Sequence, residues 1–128
     1  MSLLMATEDL ILLNISYFIY LIDISVNDIT LTANSSATDS GTNLAFICEA
    51  FGRPAPVIQW YKDGQIVVNN DQDNIIILNM PLSQVQVRSV LILSPLQNND
   101  GGSYWCSATI PPNVIESNNI TIGKLIAL

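Results

Sequence analysis

Cys48 and Cys106 are the only two cysteines in a chain of 128 residues that contains no histidine. Those two facts narrow the available chemistry. A serine or cysteine nucleophile would lack its usual imidazole base, and a metal site would lack its commonest ligand. The paired acids are Glu8-Asp9 and Asp71-x-Asp73, the second pair inside the polar run Asn69-Asn70-Asp71-Gln72-Asp73-Asn74. Such oxygens could in principle serve Ca²⁺, but the glycine and terminal glutamate of a calcium loop are missing. A solvated loop is the simpler reading. No catalytic residue, cofactor site or metal site is expected, so the chain reads as a non-enzyme. The cysteines could in principle be redox-active.

The residues around the cysteines form spaced motifs. Trp60 lies between them in the run Gly52-x-Pro54-x-Pro56-x-x-x-Trp60-Tyr61-Lys62-Asp63-Gly64, and Leu91-x-Leu93-x-x-Leu96 precedes Asp100-Gly101-Gly102-Ser103-Tyr104-Trp105-Cys106. Taken together these motifs resemble the immunoglobulin superfamily, specifically its intermediate set (I-set), over roughly residues 26 to 126. The resemblance implies an all-β, immunoglobulin-like two-sheet Greek-key β-sandwich. It further implies that Cys48 and Cys106 join the sheets with Trp60 packed on the bridge, and that Tyr104 returns its hydroxyl to the backbone of the preceding turn. Asp100 and Gly102 suit that turn, because Asp bonds its own nearby backbone and Gly accepts positive φ.

Composition agrees with one domain. The formal charge is −7, from 11 acids against 4 bases, and Arg53, Lys62, Arg88 and Lys124 are scattered singly. Without clustered cations there is no surface for nucleic acid or an anionic membrane. The partner expected instead is a protein. An even cysteine pair at this spacing reads as an oxidised bridge and implies secretory routing. Three sequons, at Asn14, Asn34 and Asn119, point the same way as candidate glycosylation sites. An extracellular or cell-surface location follows. The other reading is an intracellular muscle-type domain of the same family, in which both positions remain thiols.

Residues 1 to 23 stand apart from the domain expected over 24 to 128. Leu10 to Ile22 is mostly apolar, as long as the hydrophobic region of a signal peptide and too short to span a bilayer comfortably. Its flanks are wrong for export, with Glu8 and Asp9 before it and Asp23-Ile24-Ser25 after it. Three readings stand: a degenerate signal segment, a remnant of an upstream exon or domain in a truncated gene model, or an extra strand or helix packed on the domain. The domain itself is expected to insert no segment into a membrane, and the chain is expected to be a fragment of a larger receptor or adhesion protein.

The elements that must position these motifs are short strands. Period-two patterning and turn residues predict them at Ile24 to Ala33, Asn43 to Ala50, Val57 to Lys62, Gln65 to Val68, Asn74 to Asn79, Gln84 to Leu93, Ser103 to Ile110 and Asn118 to Ile126. Gly52 to Pro56 reads as a turn, Asp63-Gly64 as a hairpin, and the cluster Asn34 to Gly41 as the place where the first strand changes sheets. There is hardly room for a further strand between Trp60 and Leu91, which favours the intermediate set over the variable set.

Strand alternation then assigns faces. With Trp60, Tyr104 and Cys106 turned inward, Gln59, Tyr61, Trp105 and Ser107 point outward on one sheet and form a candidate interface. With Leu91 and Leu93 inward, Val90 and Ile92 point outward on the other sheet beside Ala45 and Ile47. That second face is unusually apolar for one open to water, so a cover is expected, either Leu10 to Ile22 or a neighbouring domain. The function expected is a non-catalytic recognition or adhesion module, with a structural spacer domain as the alternative.

Overall fold

The computed structural model describes residues 25–33, 43–70, 72 and 74–123. Nine strands account for most of them: β1 Ser25–Ala33, β2 Leu44–Arg53, β3 Val57–Lys62, β4 Gln65–Val67, β5 Ile75–Pro81, β6 Gln86–Leu93, β7 Gly102–Ile110, β8 Asn113–Glu116 and β9 Ile120–Ile122. One sheet has the order β1-β2-β6-β5; the other has the order β4-β3-β7-β8, with β9 also paired to β7. All pairings are antiparallel. The fold is therefore the all-β, two-sheet Greek-key sandwich that the motifs imply.

Alternation dictates the core. Leu44, Phe46, Cys48 and Ala50 of β2 are buried while Ala45, Ile47 and Glu49 between them are half-exposed, and β6 repeats the pattern with Ser89, Leu91 and Leu93. From the facing sheet Trp60, Tyr104 and Cys106 fill the gap. Cys48 and Cys106 are joined in a disulfide that spans the two sheets, with Cα atoms 6.5 Å apart. Phe46 stacks on Tyr104 at 4.7 Å between ring centroids and lies 6.4 Å from Trp60, and the three rings share one buried cluster with the bridge. Trp60 cannot bury its indole N–H without a partner. It donates to Ser89 Oγ at 2.8 Å, across the sandwich.

The turn into β7 is built from polar groups that satisfy one another. A 3-10 turn at Asn98–Asp100 precedes it, and the Asp100 carboxylate accepts the Gln97 N–H at 2.7 Å. The Tyr104 hydroxyl donates to the Asp100 carbonyl at 2.5 Å. Across the sheet, Asp63 and Gly64 both adopt positive φ and close the two-residue hairpin between β3 and β4. That geometry leaves the Asp63 carboxylate facing β7, where it accepts the Ser103 N–H at 2.9 Å. Gly102, at φ +151°, has no room for a side chain, since a Cβ there would lie 2.5 Å from Asp63 Oδ2.

Several strand limits differ from expectation. β2 runs on through Gly52 to Arg53, because β1 pairs with it there, Val26 opposite Gly52 and Ser25 opposite Arg53. Gly52 is needed for that close approach rather than for a turn: a Cβ would lie 2.8 Å from the Ser25 carbonyl oxygen. β6 begins at Gln86, since the Leu82 and Ser83 N–H groups both turn back to the Gln86 carbonyl. The expected single last strand is two. Pro111-Pro112 reverses the chain at once, so β8 starts at Asn113, and a break at Ser117 to Asn119 separates it from β9. The expected sheet switch at Asn34 to Gly41 and the acidic residues Asp71 and Asp73 lie outside the described residues.

Candidate protein-interaction face

The outer surface of the β4-β3-β7-β8 sheet is a small lattice set by register. Ile66, Tyr61 and Trp105 form one row across β4, β3 and β7. Gln59, Ser107 and Glu116 form the next, and Val57, Thr109 and Val114 the last. The Tyr61 and Trp105 rings stack, with centroids 5.5 Å apart and planes 13° from parallel. Glu116 fixes the outer edge of that stack, its Oε2 accepting the Trp105 Nε1–H at 3.0 Å. Exposed apolar side chains lie beside Tyr61 and beyond the polar middle row. Ile66 is 62% exposed, Val57 71% and Val114 55%.

Of the four residues expected on this face, Gln59, Tyr61 and Trp105 are half-exposed. Ser107 is not open. It lies on the same side, but its hydroxyl sits 3.5 Å from the Tyr61 hydroxyl and the residue is only 2% exposed. Alternation sets the direction of a side chain and says nothing of what a neighbouring ring covers. Ile66 and Glu116 were missed. Ile66 was within reach, because a two-residue Asp63-Gly64 hairpin forces it opposite Tyr61. Glu116 was not, since it falls where the sequence reads as loop.

The opposite face carries Ala45 and Ile47 of β2 and Val90 and Ile92 of β6, all half-buried, with Ile76 and Leu78 of β5 exposed beside them. Register aligns them in two rows, Ala45-Ile92-Ile76 and Ile47-Val90-Leu78. The apolar stripe ends at an ion pair between Arg88 and Glu49 at 2.8 Å, directly opposite each other. The expected cover, Leu10 to Ile22, lies outside the described residues, as do Asn14 and Asn34. Asn119 is exposed between β8 and β9.

Burial pushes the Tyr104 phenol well above the ordinary tyrosine range, and the nearby negative charges of Asp100 and then Asp63 act in the same direction. Tyr104 thus stays a neutral hydrogen-bond donor. Lys62 lies over its ring at 5.8 Å and donates to the Asn99 carbonyl, so this cation is used to hold the turn. Among the described residues no group of three His, Cys, Asp or Glu side chains could hold a metal ion, and no helix is long and apolar enough to cross a membrane.

Comparison with known proteins places this geometry. The family model for the immunoglobulin domain matches residues 27–109. Over 71 residues the chain is 37% identical to neural cell adhesion molecule 1 of Gallus gallus, a stretch covering 56% of this chain and 6% of that protein. It is 33% identical over 78 residues to the immunoglobulin domain-containing protein oig-4 of Caenorhabditis elegans, covering 61% of this chain and 49% of that one. The crystal structure of the N-terminal eight Ig domains of Down syndrome cell adhesion molecule superposes with a TM-score of 0.58 at 27% identity, covering 76% of this chain and 12% of that one. The chain spans a small part of the adhesion molecules it matches.

Proposed function

Because the chain belongs to the immunoglobulin superfamily, matched over residues 27–109, we propose that it is a non-catalytic extracellular recognition module of the intermediate set. It acts by protein–protein contact, as part of a larger cell-surface receptor or adhesion protein. Membership with adhesion molecules among the relatives supports the class of function. The inter-sheet disulfide supports secretory routing, since such bridges persist in oxidising compartments.

The observation that carries the reading is the Tyr61–Trp105 stack on an open sheet face. Large aromatics held rigid by a neighbour lose little conformational freedom on docking, and Trp and Tyr are enriched among residues that dominate binding energy. Ile66, Val57 and Val114 extend the apolar area, while Gln59 and Glu116 supply polar contacts between the rows. Nucleic acid and anionic membranes remain poor partners at a formal charge of −7.

The test is alanine at both Tyr61 and Trp105 in the full chain. Self-association by analytical ultracentrifugation and binding of the labelled chain to cells from its native source are the readouts. Loss of either one in the double variant, with unfolding unchanged in cooperativity, supports the face. Association and cell binding at wild-type strength would move the site elsewhere and favour a spacer domain.

A further inference from the structure

The ladder between β7 and the end of the chain slips by one residue beside Trp105. Ser107 pairs with Glu116 on one side of the slip and Tyr104 with Ile120 on the other. Two residues of β7, Cys106 and Trp105, therefore face three residues, Ser117, Asn118 and Asn119. Ser117 takes Cys106: its N–H donates to the Cys106 carbonyl and its Oγ accepts the Cys106 N–H. Asn118 and Asn119 are left opposite Trp105 alone. This is a β-bulge, a device that re-aims side chains at a sheet edge. Ile120 and Ile122 pack on the core, and both Asn119 and Thr121 are exposed. The bulge sets Asn119 at the sheet edge beside Trp105, next to Ile120, which pairs with Tyr104.

Asn119-Ile120-Thr121 is also a sequon. We propose that Asn119 carries an N-linked glycan that closes the β9 side of the Tyr61–Trp105 face, so that a protein partner enters from the Ile66 side. The row Ile66, Tyr61, Trp105 then has one open apolar end and one end capped by sugar. The modification needs a lipid pyrophosphate-linked oligosaccharide as donor. The Asn119 amide nitrogen forms a bond to the sugar's anomeric carbon, the bond from that carbon to the pyrophosphate oxygen breaks, and the lipid pyrophosphate leaves with the electron pair. The amide gives up one proton to solvent, and nothing is oxidised or reduced. The Thr121 hydroxyl is the sequon's required third-position group. The glycan rests on the sequon, its exposure and the proposed secretory routing, and the direction of partner entry rests on the reading of the face as an interface.

The experiment uses the full chain, routed through the secretory pathway of a glycosylating cell by an added leader, with N119Q and T121A beside it. Peptide mapping after amidase removal of glycans should show Asn119 converted to aspartate, and both variants should lose one glycan's worth of electrophoretic mobility shift. A secreted chain with Asn119 unmodified overturns the proposal. Shielding is read by acrylamide quenching, which reports Trp105 because Trp60 is 1% exposed. Quenching should be weaker in the glycosylated chain than in N119Q, and equal quenching overturns the capping of the face. Ile66→Glu should weaken binding to cells while leaving quenching unchanged; undiminished binding overturns the direction of entry. If quenching is equal but alanine at Tyr61 and Trp105 still removes binding, the glycan inference falls and the interface stands. If the glycan shields Trp105 yet the double alanine variant binds normally, the interface falls instead.

Discussion

Tyr61 and Trp105 sit directly opposite each other on neighbouring strands and stack 5.5 Å apart, 13° from parallel, on the outside of the sheet. Their backs are Trp60 and Cys106, the residues that seal the core. One pair of strands thus presents a rigid apolar pin inward and a rigid aromatic surface outward.

That relationship predicts a measurable coupling within the folded chain. Single Tyr61→Ala and Trp105→Ala variants and the double variant, compared by urea denaturation, should give an interaction energy of about 0.5–1.5 kcal/mol, the range for stacked aromatic pairs. Additive losses would mean that the rings touch without supporting each other, and the preorganised surface would lose its basis.

Ser89 is predicted to matter more than its size suggests. It is fully buried and is the acceptor of the Trp60 indole N–H at 2.8 Å. Ser89→Ala leaves that donor unpaired in an apolar core at a cost of about 1–3 kcal/mol. Denaturant midpoints of Ser89→Ala and Ser89→Cys, the latter keeping a weak acceptor, would check it. A wild-type midpoint in the alanine variant would show that the indole finds another partner.

How much of this was legible beforehand depends on whether a residue's role is local or set by its neighbours. Trp60, Tyr104, Asp100 and Gly102 belong to spaced motifs whose resemblance to the immunoglobulin superfamily implies a job for Trp60 and Tyr104, while Asp100 and Gly102 suit a short turn by their residue types. Ser89 was inward by period-two alternation, yet went unnoticed because a serine in a core explains itself only through its partner. Ser107 was assigned to the correct side but not to its burial, which the Tyr61 ring decides. The last strand misled for another reason. Pro111-Pro112 turns the chain straight into β8 at Asn113, and a one-residue bulge at Asn118 and Asn119 leaves no trace in hydrophobic periodicity.

The disulfide should carry a large share of the stability. The bridge closes a separation of 58 residues. By the chain-entropy account, that constraint on the unfolded chain is worth about 4 kcal/mol. Wild-type protein with reductant and the Cys48→Ala, Cys106→Ala double variant should unfold at similarly lowered denaturant concentrations, and reductant should leave the double variant unchanged. A double variant as stable as the oxidised wild type would show that the core, not the bridge, holds the sheets together.

Tyr104 makes stability depend on alkaline pH in a definite direction. Burial and the charges of Asp100 and Asp63 raise its ionisation well above the ordinary tyrosine value, so the folded chain keeps the phenol proton where the unfolded chain releases it. Above about pH 10, the ordinary tyrosine value, the unfolded state therefore binds fewer protons than the folded state and stability falls as pH rises. The stabilisation is fully present below that value and is lost progressively above it. Tyr104→Phe removes the hydrogen bond to the Asp100 carbonyl, costing about 1–2 kcal/mol at neutral pH, and should flatten the alkaline slope. Urea denaturation of both proteins from about pH 8 to pH 11 reads the difference, since only the wild type has a phenol whose ionisation is shifted by folding at this site. Parallel loss of stability in the two proteins would show that unfolding releases no proton from Tyr104, and that its hydroxyl is held less tightly than the buried geometry implies.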